Sequence, residues 1–174
     1  MNKAIARGVV ITPLLFLAMT AVANAETVSD TFQVRITIEK SCTVTAGSAS
    51  DIDLGAHPAT DTDIAGNNTI SVNCSKTTPY FIGLLPSNAD TTGAGEMSST
   101  SGGGNTDLVP YQLRSTAGMA GTIWGDTATA TAVGNGVAGT GTGNAITHTV
   151  YATVASANFT PDSYADTVTV HVNF

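Results

Sequence analysis

Positive charge is scarce in this 174-residue sequence, which has six lysine and arginine residues against thirteen acidic ones. Two of the six, Lys3 and Arg7, lie within the first ten residues. After residue 25 the sequence therefore has four basic and thirteen acidic residues, and its formal net charge is −9. Such a chain is not attracted to a phosphate backbone or to anionic headgroups, which disfavours nucleic acid and anionic membrane as partners.

Long apolar runs are also lacking, apart from one at the start of the chain. Residues 9–23 form an apolar segment behind Lys3 and Arg7, and the small-x-small pattern Ala23-Asn24-Ala25 follows it. The run is shorter than the roughly twenty residues that a membrane-spanning helix needs. The pattern predicts a secretory signal peptide over residues 1–25, cleaved between Ala25 and Glu26, and an exported, soluble product.

The sequence has only two cysteines, Cys42 and Cys74. There is no C-x-x-C redox pair, and no nearby histidine cluster completes a metal site. In an exported protein the simplest interpretation is one structural disulfide. It would close a loop of about 33 residues and contribute about 3.5–4 kcal/mol to stability in the chain-entropy model.

Recognisable catalytic motifs are missing. The three histidines, His57, His148 and His171, are isolated, and neither H-E-x-x-H nor G-x-S-x-G occurs. Two aspartate pairs resemble the start of a calcium loop but lack its third acidic or amide ligand and its final glutamate: Asp51 with Asp53, and Asp61 with Asp63. We therefore expect no enzymatic activity, no metal, no cofactor and no small-molecule substrate.

Helical periodicity is absent after the signal peptide, and nearly every apolar segment instead has strand character. Gly and Pro separate these segments at short intervals, which is typical of many-stranded sandwiches. The predicted fold is an all-β, immunoglobulin-like sandwich. The predicted strands cover residues 31–39, 42–46, 52–55, 69–74, 80–85, 108–113, 121–124, 146–154 and 166–174.

Two segments, residues 87–106 and 125–144, are rich in glycine and small polar residues. A phosphate-binding loop would lead into a helix and have a lysine nearby. Neither segment contains lysine or arginine, and neither precedes a helical pattern. We predict that both are flexible surface loops.

The two ends of the chain after residue 25 carry matching alternating strands. An apolar strand at a terminus is normally an edge strand, and such an edge invites pairing with another chain. This arrangement is typical of a subunit that assembles with other chains. The aligned apolar residues are Phe32, Val34, Ile36 and Ile38 near the start, and Val168, Val170, Val172 and Phe174 at the end.

Several sequence blocks, in this order, resemble the spore coat protein U domain family, which includes subunits of archaic (Csu-type) chaperone–usher pili. They are SCTV at 41–44, ISVNC at 70–74, VPYQL at 109–113, IWGD at 123–126, TVYATV at 149–154 and YADTVTVHVNF at 164–174. Two departures from the family pattern, at residues 115–121 and at Pro161-Asp162, fall in predicted loops.

The resemblance implies an incomplete sandwich whose missing strand is donated first by a periplasmic chaperone and then, at an outer-membrane usher, by the next subunit. Residues 26–38 would be the donor extension and residues 39–174 the pilin domain, with Asp30 near the end of the groove or at a small pocket. The implied donor anchors are Val28, Phe32, Val34 and Ile36, and the implied groove-edge residues are Val168, Val170, Val172 and Phe174.

The implied function is that of a structural subunit of a surface pilus or fimbria, polymerising with itself or with related pilins and supporting adhesion and biofilm formation. The implied route leads through the periplasm to the cell surface. Two alternatives stay open at this stage. One is a secreted coat or matrix protein of the same fold that assembles without an usher, and the other is a monomeric exported binding module.

Overall fold

The computed structural model of the chain describes residues 26–174. The predicted signal peptide, including Ala25, lies outside the described residues. The chain divides into two units, one that ends at Thr37 and one that spans Ile38–Phe174. Over residues 26–41 no strand forms, so the predicted strand at 31–39 is wrong for the single chain. Alternation predicts which face of a strand is apolar, but a strand also needs a neighbour to pair with.

The compact unit is built from strands and one short 3₁₀ helix at Ser48–Ser50. Its strands are β1 (Cys42–Thr45), β2 (Thr62–Cys74), β3 (Pro79–Pro86), β4 (Ala94–Ser99), β5 (Leu108–Arg114), β6 (Val137–Thr140), β7 (Ala145–Ser156), β8 (Tyr164–Ala165) and β9 (Val168–Asn173).

These strands form two antiparallel sheets. The larger has six strands in the order β1-β2-β7-β5-β4-β8, and the smaller has three in the order β6-β3-β9. The inner faces of the two sheets supply one hydrophobic core, which confirms the predicted all-β sandwich. The buried large apolar side chains alternate along β2, β3, β5 and β7, as expected for strands with one inward face.

The disulfide between Cys42 and Cys74 is present, which confirms the prediction. The two cysteines are cross-strand partners in the β1–β2 pair. Cys74 is buried and Cys42 is partly buried. The bond therefore fastens the short edge strand β1 to the long strand β2 at one end of the sandwich, which we call the disulfide end.

Two predicted strands, at 52–55 and 121–124, do not form as strands. Ile52 and Leu54 are partly buried, but their segment has no ladder partner and packs beside Gly66 of β2. Residue Ile123 makes only an isolated bridge with Arg114. Apolar residues at alternate positions show that a segment has an inward side, and they do not show that it is hydrogen-bonded to a neighbour.

The glycine-rich segments are not simply loops, because β4 lies in the first and β6 in the second. In each case a strand glycine faces a tyrosine on the neighbouring strand: Gly95 pairs with Tyr111, and Gly139 pairs with Tyr80. Each ring occupies the space that a side chain on the glycine would need. Tyrosine packing over glycine compensates for the weak strand preference of glycine.

Replacing Gly95 by alanine is expected to lower the free energy of unfolding by about 1–3 kcal/mol, because the added methyl group would overlap the Tyr111 ring. Gly103→Ala is the matched control, since a Cβ there meets nothing within 4 Å and should change stability by about 0.5 kcal/mol or less. Urea unfolding followed by circular dichroism measures both. Equal midpoints for the two variants would contradict this account of β4.

Candidate functional site: an edge strand beside an open groove

Strand β9 is an edge strand of the smaller sheet. It pairs with β3 through Val168 opposite Pro86, Val170 opposite Leu84 and Val172 opposite Ile82, and among residues 26–174 no strand pairs with its other edge. The three valines are partly buried, whereas Phe174 follows the strand and is 45% exposed. The backbone of β9 thus offers a free edge next to a row of inward-facing valines.

A cavity of about 470 Å³ opens beside this edge, between the two sheets, and a second cavity of about 600 Å³ adjoins it over the larger sheet, where no residue of β3, β6 or β9 lines it. We call them together the groove. Its first rim is the irregular segment 46–59 and its second rim is the segment 160–170. Four side chains line both cavities: Ile52, Leu54, Met97 and Tyr164. The floor of the 470 Å³ cavity includes Ile70, Val150 and Ala152 from the larger sheet, and Leu84, Val168 and Val170 from the smaller.

The first rim is fixed by polar contacts with β2. The Asn68 amide donates to the carbonyl oxygens of Ala49 and Asp51, at 3.1 and 2.7 Å. Gly66 leaves the space that Ile52 and Leu54 occupy, because a Cβ at this position would crowd both side chains. The segment therefore presents its two apolar side chains to the groove without being a strand of either sheet.

His57 closes the end of this rim that lies away from the disulfide. Its Nδ1 lies 2.9 Å from Asp61 Oδ2 and its Nε2 lies 2.8 Å from the Leu54 carbonyl oxygen. Both partners accept hydrogen bonds, and only the doubly protonated imidazolium can donate to both. The hydrogen bonds to Asp61 and Leu54 raise the pKa of His57 above its ordinary value.

His57 and His148 are expected to titrate on opposite sides of the ordinary histidine pKa. His148 lies 2.9 Å from the Tyr80 hydroxyl, and burial lowers its pKa. Because the pKa of His57 is raised by folding, its contribution to stability is present at pH values below the ordinary pKa and is lost as the pH rises through the folded one. Asp61→Asn should lower the His57 pKa and leave that of His148 unchanged, as measured by NMR titration. Coincident titration of the two rings would refute the assignment.

The second rim is held by two carboxylates. Asp162 accepts hydrogen bonds from Ser101, Ser99, Asn105 and the Ser163 amide, which together hold its pKa well below the usual range. These contacts join the segment after β4 to the turn before β8, and they explain why this turn is ordered without a long strand.

Asp166 accepts a hydrogen bond of 2.7 Å from the Tyr111 hydroxyl. Burial opposes ionisation of this carboxyl, but hydrogen bonds from Ser87, Tyr111 and Thr167 lower the pKa of Asp166. Burial, followed by the contact with Asp166, raises the pKa of Tyr111. The groove therefore has a negatively charged residue where β9 begins.

The outer face of β9 is anchored through His171. Its Nδ1 lies 2.8 Å from Asp126 Oδ2, and this carboxylate lies over Gly83, the residue opposite His171. The neighbouring Trp124 is buried, and its indole N–H donates to the Ile82 carbonyl oxygen at 2.9 Å. The IWGD block thus positions the centre of β3 and, through His171, the edge strand.

The segment at residues 26–38 exposes large apolar side chains. The exposed fractions of its five apolar residues lie between 82% and 91%. Exposed large apolar side chains at alternate positions lie on one side of an extended segment. The sequence-based anchor set omitted Ile38, which continues the two-residue alternation and could have been included on that signal. The five residues are Val28, Phe32, Val34, Ile36 and Ile38.

Metal-binding geometry does not come together in the part of the chain that the structure describes. Over residues 26–174 no group of three or more His, Cys, Asp or Glu side chains could hold a metal ion. The three histidines contact different partners: Asp61, Tyr80 and Asp126. Over the same residues no helix has both the length and the apolar character to span a membrane.

Comparison with known proteins identifies one family. A family model for the Spore Coat Protein U domain matches residues 28–171. Among curated proteins, no sequence matches this chain.

Two solved structures are similar to part of the chain. One is a chaperone–tip adhesion subunit pre-assembly complex, CsuC–CsuE, from archaic chaperone–usher Csu pili of Acinetobacter baumannii, at 19% identity and a TM-score of 0.49 over 79% of this chain. The other is a chaperone–tip adhesin complex described for CFA/I fimbriae biogenesis, at 9% identity and a TM-score of 0.45 over 76% of this chain. The similarity spans 40% and 42% of the matched chains.

Proposed function

This chain belongs to the Spore Coat Protein U domain family, and we propose that it is a structural subunit of a surface pilus that polymerises by donor-strand exchange. The observation that carries the proposal is the pairing, within one sequence, of an open apolar groove beside an edge strand with five exposed apolar side chains in strand alternation. Groove and extension are complementary in chemistry, since each has apolar surface that a second copy of the chain would cover.

The mechanism is β-strand addition. The donor extension, residues 26–38, would lie along the free edge of β9 in another copy, where main-chain hydrogen bonds provide affinity and alternate side chains enter the groove. Val28, Phe32, Val34 and Ile36 are the proposed anchors, and Ile38 extends the series. Because the donor and the groove are different surfaces of one molecule, the contact is heterologous and produces a fibre rather than a closed dimer.

In this mechanism a subunit needs a partner protein that covers its groove before it polymerises. An uncovered edge strand next to an apolar groove is an aggregation risk for a newly exported chain. We infer that a periplasmic chaperone first supplies a strand to β9, and that an outer-membrane usher replaces it with the extension of the next subunit. The protein would then act at the cell surface as a fibre component that supports adhesion and biofilm formation, without a catalytic role.

The test is assembly of the chain from residue 26 onward. Purified protein is expected to form oligomers that grow with time in size-exclusion chromatography with light scattering, and fibres in electron micrographs. The double variant Phe32→Asp, Val34→Asp should stay monomeric, because charged side chains cannot enter the groove. The matched control, Ser29→Asp with Thr31→Asp, changes the opposite face in the first half of the extension and should assemble. Equal assembly by both double variants would refute donor-strand exchange.

A further inference from the structure

The charged residues that line the groove are acidic, apart from one histidine. Asp51 and Asp53 belong to the first rim, and Asp162 and Asp166 to the second. Among the described residues, neither lysine nor arginine lines either cavity. His57 is the single residue there that can carry a positive charge, and it already faces Asp61. Asp166 lies just before the start of β9, and Asp53 and Asp162 line the 600 Å³ cavity beyond that start. We call the part of the groove that these four aspartates line, on the side where β9 begins, the acidic end.

The disulfide end of the sandwich has a different charge. The Ser41 amide donates to Ser75 Oγ at 3.0 Å, and the Ser75 amide donates to the Ser41 carbonyl oxygen at 2.9 Å. The neighbouring residues, Lys40 and Lys76, are therefore brought to this end, and both are exposed. Strand β1 contains no charged residue, and β9 ends here with Val172 and Asn173. The sandwich is thus acidic at one end and basic at the other. The basic end also has one acid, Glu39, which precedes Lys40 in the sequence.

The donor extension has a charge pattern of its own. Its first half contains Glu26 and Asp30, whereas two bases and one acid, Arg35, Glu39 and Lys40, lie in and just after its second half. The two bases are half of the four basic residues that the chain has after residue 25. In the strand alternation Arg35 is opposite in phase to the apolar anchors, so it would face outward from an occupied groove.

We propose that Arg35 and Lys40 of one copy contact the acidic end of the groove in the next copy, and that these charges fix the direction in which the extension enters. This inference rests on the proposed function. In the proposed direction the basic half meets Asp51, Asp53, Asp162 and Asp166. The reverse direction would place Glu26 and Asp30 against the same four carboxylates, and like charges brought together in a partly buried interface are unfavourable.

The direction follows from the topology of β9. Strand β9 begins beside Asp166, at the acidic end, and ends toward the disulfide end. An extension whose later residues lie at the acidic end therefore runs antiparallel to β9. It also brings the Lys40 and Lys76 end of one sandwich close to the acidic end of its neighbour. Successive copies would then meet through opposite charges as well as through the groove.

The test uses the chain from residue 26 carrying Phe32→Asp and Val34→Asp, so that its own extension cannot act as donor, and a labelled peptide of residues 26–40. The peptide is expected to bind with an affinity that falls as salt rises. The peptide with Arg35→Glu and Lys40→Glu should bind about threefold to tenfold more weakly at low salt, because exposed ion pairs are individually modest. This difference in affinity between the two peptides should disappear at high salt.

A variant on the groove side completes the test. Asp51→Asn with Asp53→Asn, added to the receiving chain, should reduce the difference between the two peptides, whereas Glu96→Gln on the exposed face of β4 should not. A nitroxide at peptide position 40 should broaden NMR signals of residues 52–57, and one at position 26 should broaden signals of residues 43–46. Peptide binding without charge or salt dependence, or with reversed broadening, would overturn this inference and leave strand addition intact. Absence of binding by either peptide would overturn the proposed function itself.

Discussion

A peptide of residues 26–38 is expected to raise the melting temperature of the isolated sandwich, residues 39–174, by about 10 °C. A ligand that binds only the folded state at 100 to 1,000 times its dissociation constant stabilises by about 3–4 kcal/mol. For a domain of this size each kcal/mol corresponds to a few degrees. The measurement is a thermal melt followed by circular dichroism, with and without peptide.

The physical reason is the apolar surface on both partners. Val28, Phe32, Val34 and Ile36 could each contribute roughly 1.5–3 kcal/mol when buried, or about 6–12 kcal/mol in total before the costs of ordering the peptide. Those costs reduce the net gain, which is why the expected shift corresponds to only a part of this sum.

Two control peptides make the result specific. Phe32→Asp with Val34→Asp should abolish the shift, because two carboxylates would have to be buried without partners. Ser29→Asp with Thr31→Asp changes outward positions in the first half of the peptide and should keep most of it. An isolated sandwich that is already stable and does not respond to any peptide would mean that the fold is complete. A monomeric binding protein or a coat protein would then replace the pilus subunit as the best explanation.

Trp124→Ala is expected to lower the free energy of unfolding by about 3–5 kcal/mol, the range typical of removing a large buried aromatic side chain. Trp124 is 1% exposed, and its indole N–H is the partner of the Ile82 carbonyl oxygen in the centre of β3. The substitution would create a cavity and also leave that oxygen without this donor. The backbone of the same block supports β3, since the Leu84 amide donates to the Gly125 carbonyl oxygen at 3.0 Å.

The control for Trp124 is its neighbour Ile123, which is 43% exposed. Ile123→Ala should cost about 1 kcal/mol or less, because much of its side chain is already in water. Urea unfolding gives both values from the midpoints and slopes. If the two alanine variants unfold at the same urea concentration, Trp124 is not the centre of this core. Trp124→Phe should fall between them, since it keeps most of the packing and loses the N–H donor.

Most of the sandwich could be predicted because its strands carry clear alternation. Strand β9, with Val168, Val170 and Val172 inward, most of β7 and the part of β2 from residue 69 onward were recognisable from their apolar patterns, whereas residues 62–68 of β2 were not predicted as strand. The disulfide followed from there being only two cysteines in a chain with a predicted signal peptide. Alternation is a local property of a segment, and two cysteines allow only one pairing within a chain. A single sequence is therefore sufficient to identify these features.

Strands β4 and β6 were not predictable in this way. Their residues are glycine, alanine and small polar side chains, which indicate loops when read locally. They become strands because Tyr111 and Tyr80 from neighbouring strands pack over Gly95 and Gly139. The stabilising side chain lies about 16 residues away from Gly95 along the chain and much further from Gly139, so no local pattern contains it.

The sequence alone determined the strand character of the chain, its disulfide partners, its excess of acid and the alternating apolar residues at both ends. Tertiary structure alone decided which of these strands pair. It formed no strand over residues 26–38, kept β9 at an edge, and brought the segments 46–59 and 160–170 together as the rims of a groove. The reason is physical, since side-chain periodicity is a property of one segment, whereas a backbone ladder or a groove exists only between segments distant in the chain.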